Sequence, residues 1–149
     1  MKKILVSVIG GHKCDEKTAE VAEKVGKIIA EEGAVLVSGG LAGVMEAANR
    51  GAVSAGGLTV GIIPGNDKSE ANEFVNIVIT TGIGYARNTI VATGSDIVVA
   101  LPGEYGTLSE IGFALSLKKK VYGLGSWEMP EVIKLESPEE LREVISGLK

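Results

Sequence analysis

A chain of 149 residues suffices for one ordinary domain around one core and leaves no room for two comfortable ones. Its 45% hydrophobic content and mean hydropathy of +0.26 exclude disorder, and a net charge of −4 with pI near 5.1 excludes a grip on nucleic acid through bulk positive charge. The single cysteine, Cys14, excludes an internal disulfide and fits a reducing cytoplasm, and no apolar run approaches the ~20 residues of a membrane helix.

Met1-Lys-Lys before an apolar run mimics a signal peptide, but the run is too short, so Ile4–Ile9 is expected to be a buried first strand. Glu16–Glu32 reads as a helix, with Ala19, Ala22, Val25 and Ile29 on one side and Gly33 as its stop. Val35–Ser38 is the second strand, Gly43–Ala55 a small-residue helix closed by Gly56-Gly57, and Thr59–Ile63 the third strand, closed by Pro64-Gly65. Asn66–Glu73 reads as a polar loop, Val75–Thr80 as a fourth strand, and Tyr85–Ala92 as a helix leading into the fifth strand, Ile97–Leu101. Thr107–Leu117 is a further helix and Val121–Leu124 a further strand. A short strand, Val132–Leu135, and a helix, Pro138–Ile145, close the pattern. Lys118-Lys119-Lys120 reads as a solvated helix end, favoured by the macrodipole, rather than a DNA contact.

Continuous apolar strands alternating with helices predict one α/β domain over residues 1–149. It is expected to be Rossmann-like and doubly wound, with a mainly parallel sheet and helices on both faces. Ligands of such sheets bind beyond the carboxyl ends of the strands. The segments Gly10–Asp15, Ser38–Gly43, Thr80–Gly84 and Pro102–Thr107 all follow strands and are expected to line one cleft on that edge.

Leu101-Pro-Gly-Glu-Tyr-Gly-Thr-Leu-Ser-Glu110 joins a strand end, a glycine-bearing turn and the first turn of a helix. That arrangement aims unpaired N–H groups and a positive helix end at one spot, where phosphate binds well. Gly39, Gly40 and Gly43 build a similar turn after the second strand. Gly-x-Gly-x-x-Gly is absent after the first strand, and no Walker A sequence occurs, which argues against an ATPase of that type. Structural explanations compete with functional ones. Glycine serves tight turns and close helix–sheet approach, and Thr107-x-x-Glu110 has the spacing of a capping box, a device repeated at Ser137-Pro-Glu-Glu140. Arg87 opens a helix, where a cation opposes the dipole, so a local reason for it is sought against the alternative of a solvated arginine. His12 and Cys14 could touch a ligand, but with no second His or Cys no metal site is expected. The candidate phosphate- and nucleotide-binding residues are Gly10, Gly11, Ser38, Gly39, Gly40, Gly43, Thr81, Gly82, Pro102, Gly103, Gly106 and Thr107, and the candidate catalytic pair is Arg87 and Glu110.

Pro102-Gly103-Glu104-Tyr105-Gly106-Thr107-Leu108-Ser109-Glu110 follows, but for one glycine, the Pro-Gly-Gly-x-Gly-Thr-x-x-Glu of the lonely-guy (LOG) hydrolases. Gly39-Gly40-Leu41-Ala42-Gly43-Val44-Met45-Glu46-Ala47 follows their second signature. From about Ile4 to Leu124 the chain resembles the LOG superfamily of Rossmann-like proteins. That group includes cytokinin-activating nucleotide phosphoribohydrolases, proteins once mislabelled lysine decarboxylases, and molybdenum cofactor carrier proteins.

The resemblance implies a cytoplasmic homo-oligomer, dimer or tetramer, that binds a phosphorylated small molecule in the two glycine turns. As a nucleoside 5′-monophosphate phosphoribohydrolase it would cleave an N-glycosidic bond with no cofactor required. Glu110 would then stabilise the ribosyl cation or position water, and Arg87 would hold phosphate or ribose. As a non-catalytic carrier or sensor it would hold a nucleotide or a molybdopterin-type cofactor on the same edge. Departures favour the carrier branch: Glu104 replaces a turn glycine, Glu46 replaces the glycine after Met45, and Asn88 stands where the hydrolases have lysine. No pyridoxal-phosphate lysine context supports a decarboxylase, and the acidic charge disfavours a DNA-handling module of related fold. The oligomer contact is expected on the helices after the second and fifth strands. Val44, Ala47 and Ala48, with Ile111, Phe113, Ala114 and Leu115, exceed one sheet-facing stripe.

Overall fold

A computed structural model describes residues 1–149. The strands are β1 (Leu5–Ile9), β2 (Val35–Ser38), β3 (Thr59–Ile63), β4 (Ile77–Thr80), β5 (Ile97–Ala100), β6 (Lys120–Gly123) and β7 (Val132–Lys134). The helices are α1 (Glu16–Glu31), α2 (Val44–Ser54), α3 (Arg87–Thr93), α4 (Tyr105–Ser116) and α5 (Leu141–Ser146). All strands join one sheet in the order β4-β3-β2-β1-β5-β6-β7, and every neighbouring pair is parallel. The chain is thus a Rossmann-like, doubly wound α/β protein. The loops after β1, β2, β4 and β5 share one edge, as expected.

The two faces of the central strands are both buried, which is why their sequences run apolar without alternation. Val6 and Val8 of β1, with Ile97 and Val99 of β5, enter the core under α1, α2 and α5. Ile9, Val98 and Ala100 enter the core under α3 and α4. Ser7 breaks the apolar run of β1. Its hydroxyl donates to the Val91 carbonyl at 2.6 Å and lies 2.6 Å from the Ser95 hydroxyl, which ties α3 and its exit to the central strand.

Asp15 caps α1 by accepting from the Thr18 N–H at 2.7 Å, and Gly33 ends it with φ +78°. Helices α1 and α2 touch backbone to backbone: a Cβ on Gly26 would overlap the Ala48 carbonyl, and one on Gly51 would overlap the Glu23 carbonyl. Val44, Ala47 and Ala48 are consequently buried within the chain, so the apolar side of α2 is not left over for a partner. On α4, by contrast, Phe113 and Leu117 remain exposed.

Several expected elements shift. The polar loop Asn66–Glu73 holds a 3-10 turn, Lys68–Glu70, closed by a true capping box between Asp67 and Glu70. The strand expected from Val75 begins at Ile77, because Asn76 is held by the Thr59 side chain: its N–H donates to the Thr59 hydroxyl at 2.8 Å. At Ser137 the hydroxyl caps nothing, and Glu140 accepts from the Glu136 N–H at 2.7 Å instead. The capping box expected there is therefore not made, and Pro138–Glu140 is a 3-10 turn ahead of α5. In the lysine run, Lys118 takes φ +58° after the end of α4, and the Lys119 ammonium donates to the Ser95 carbonyl at 2.7 Å. Only part of that run is a solvated helix end.

Candidate functional site

The strand order reverses direction between β1 and β5, and the loops leaving those strands part to open the crevice of the fold. The Gly11 N–H donates to the Pro102 carbonyl at 2.9 Å, and the Val44 N–H donates to the Gly11 carbonyl at 2.9 Å. These bonds lace the turns after β1, β2 and β5 together. Their closeness demands glycine. A Cβ on Gly103 would overlap the Thr107 hydroxyl, and one on Gly43, where φ is +67°, would overlap the Gly11 carbonyl.

The helix after β5 starts at Tyr105, two residues before the expected Thr107. Glu104 is its N-cap position and makes no side-chain cap bond, so the first-turn N–H groups of α4 have no side-chain acceptor. This overturns the capping-box explanation of Thr107 and Glu110. Glu110 lies in the second turn of α4, too far along to cap it, and buries its side chain to 7% exposure. Thr107 is buried beside Gly103.

Arg87, the first residue of α3, is 7% exposed and not a solvated arginine. Its Nη2 donates to the Gly39 carbonyl at 3.4 Å and its Nη1 to the Asn88 side-chain oxygen, while its Nε has no partner. None of the ion pairs in the structure involves Arg87. Burial pulls its pKa down, and the Glu110 carboxyl and Tyr85 push it back up. Burial drives Glu110 the other way, up to about 8, with the Arg87 charge opposing. Burial thus works against the charge on both groups, and in its neutral form Glu110 joins Arg87 as a hydrogen-bond donor.

The turn after β2 is locked from within. The Ser38 hydroxyl accepts from the Gly40 N–H at 3.1 Å and from the Asn49 amide at 3.3 Å. Its bonds shape the turn and leave little for a ligand. Gly39 lies against the Arg87 guanidinium and Met45, and Gly40 takes φ +73° against Ile63. A Cβ on Gly10 would strike Val44, and Gly106 faces the Asn88 amide. Thr81 and Gly82 stand apart from this group. The Thr81 hydroxyl donates to the Ile63 carbonyl at 2.7 Å, and the Gly82 N–H donates to the Gly65 carbonyl at 3.0 Å. They brace the loop at the edge strand β4. His12 and Cys14 are exposed, and burial and Asp15 raise the Cys14 thiol pKa.

Sequence reasoning misses Asn49 and Trp127, and reads Asn88 only as a departure from the hydrolase pattern. Asn49 and Asn88 are buried polar side chains serving the Gly39 turn and Arg87. Trp127, the only tryptophan, donates from Nε1 to the Gly103 carbonyl at 3.2 Å and stacks on Tyr105 with centroids 6.3 Å apart.

Glycine turns at the switch point of an all-parallel sheet, with a buried arginine and glutamate behind them, define a Rossmann-like protein of the LOG-like superfamily. The chain belongs, more narrowly, to the SLOG cluster4 family, whose model matches residues 3–147. It is 46% identical over 144 residues to an uncharacterized protein of Archaeoglobus fulgidus, covering 94% of this chain and 93% of that one. It superposes on the molybdenum cofactor binding protein of the phototrophic bacterium Rippkaea orientalis with TM-score 0.93 and 37% identity, covering 99% of this chain and 98% of that one. The Moco carrier protein of Chlamydomonas reinhardtii superposes with TM-score 0.88 and 34% identity over the same shares. A cytokinin riboside 5′-monophosphate phosphoribohydrolase of Mycobacterium tuberculosis is 37% identical over 95 residues, which cover 62% of this chain and 51% of the enzyme. The chain thus aligns with about half the length of that enzyme. No helix is long and apolar enough to cross a membrane.

Proposed function

We propose that this chain is a binding protein for a phosphorylated small molecule of the molybdopterin or nucleotide type, held at the edge where the turns after β1, β2 and β5 meet. The observation that carries this reading is Arg87: a buried guanidinium that makes no ion pair and has an orphaned Nε. A buried charge left so is costly, and an arriving phosphate supplies the missing acceptor. The fit extends to the surroundings. The uncapped start of α4 offers N–H groups of the right polarity, and Gly11 and Gly103 let the turns after β1 and β5 pack at backbone distance beside it. Burial raises the Glu110 pKa, which favours its neutral form beside an incoming anion.

The carrier reading is favoured over hydrolysis by the departures from the hydrolase pattern. Asn88 stands where the hydrolases carry lysine, and Glu104 where they carry a turn glycine. The full-length likeness to the two molybdenum cofactor proteins supports the same side. Incubating the protein with a panel of nucleoside monophosphates tests it. Retention of intact nucleotide without free base is expected; steady release of base that Glu110→Gln abolishes would establish the hydrolase instead.

A further inference from the structure

Beyond the phosphate edge, a hollow of about 290 Å³ opens at the carboxyl end of β6, lined among others by Gly123, Ser126, Trp127, Glu128, Met129 and Val132. It adjoins the phosphate turn. The Trp127 indole N–H bonds the Gly103 carbonyl, the Leu124 N–H donates to the Ala100 carbonyl at 2.9 Å, and Gly125 approaches Pro102. Strand β6 pairs directly with β5, so the hollow lies beside the strand that leads into the phosphate turn.

Its chemistry is specific. Trp127 gives it an indole that Tyr105 already supports by stacking. The Ser126 hydroxyl is buried and has no hydrogen-bond partner. Glu128 and Lys134 face one another at 4.0 Å with both side chains exposed, a loose pair that a ligand can enter at little cost. A carboxylate accepts from adjacent ring N–H and amino groups, and an ammonium donates to a ring carbonyl.

Resting on the phosphate-binding reading above, we infer that this hollow receives the planar ring of the same ligand, and that it selects a 2-amino-4-oxo-pyrimidine edge. Guanine and the pterins share that edge; adenine does not. Trp127 supplies the stacking surface, Glu128 accepts from the ring N–H and the amino group, and Lys134 donates to the ring oxygen. Trp127 also links ring to phosphate, since its own N–H holds the turn that cradles the anion.

The single tryptophan makes the test direct. GMP, AMP and 6-hydroxymethylpterin phosphate are titrated into the whole protein, following Trp127 fluorescence and, separately, binding heat. GMP or the pterin phosphate should quench the fluorescence and bind about tenfold or more tightly than AMP, a discrimination of the size a lost polar pairing gives. The tighter of those two names the ring. Glu128→Gln should weaken GMP and pterin-phosphate binding about tenfold and so erase the preference over AMP, whereas a misfolded variant would lose binding heat with every probe. Equal affinity for GMP and AMP, or heat of binding without any change in Trp127 emission, overturns the ring site and leaves the phosphate site standing. Absence of binding heat with all the probes overturns the phosphate-binding reading, and this one with it.

Discussion

Arg87 and Glu110 show how burial alone sets chemistry. In the folded protein Glu110 holds its proton up to about 8, against an ordinary 4.5, because burial outweighs the attraction of Arg87. Between those values the folded protein binds more protons than the unfolded chain, so stability falls as pH rises through the window. The loss is on the order of a few kcal/mol, and Glu110→Gln should flatten it; denaturant titrations at both ends of the window measure the slope in each protein. Ionisation of Glu110 also places a negative charge beside the bound anion. Affinity for a phosphorylated ligand should therefore weaken above about 8 in the wild type and not in the Gln variant, as calorimetry across that range would read. At this scale the sequence was half legible. A cation opening a helix marked Arg87 as needing a reason, but its burial depends on Gly39, far away in the chain. Thr107-x-x-Glu110 fits a capping box by spacing alone, and only the start of α4 at Tyr105 decides against it.

Between elements, the glycines carry the most information. Gly26 and Gly51 let α1 and α2 meet at backbone distance, and each would drive a Cβ into a carbonyl of the other helix. Gly26→Ala or Gly51→Ala should cost about 1–3 kcal/mol or more, since backbone cannot move aside as a flexible side chain does; chemical denaturation of each variant measures it. The central strands were readable because a doubly buried sheet writes itself as unbroken apolar runs, and α1 because Ala19, Ala22, Val25 and Ile29 share one side and Gly33 stops it. Less readable were elements set by side-chain bonds across the chain. The start of β4 depends on Thr59 gripping Asn76, and the single turn Lys68–Glu70 depends on a box inside a stretch that composition marks as loop. The use of α2 against α1 was hidden for a related reason. Small residues serve equally well at an internal helix contact and at a subunit interface, and sequence spacing does not separate the two.

For the molecule as a whole, the two faces are unequal. The face under α1, α2 and α5 is closed, whereas the face under α3 and α4 leaves Ile90, Phe113 and Leu117 exposed. Apolar side chains grouped on neighbouring helices favour self-association through that face. Light scattering should return at least a dimer mass, and Phe113→Glu combined with Leu117→Glu should shift it to the monomer without unfolding the chain. Fold, turns and aromatic hollow converge on one edge, and that edge is organised around a buried arginine that makes no ion pair. Calorimetric titration of GMP into the wild type and into Arg87→Ala is the most direct test of this account. It predicts measurable binding by the wild type and a loss of ~1.5–3 kcal/mol, about tenfold or more, in the variant. Equal affinity for the two proteins would contradict it.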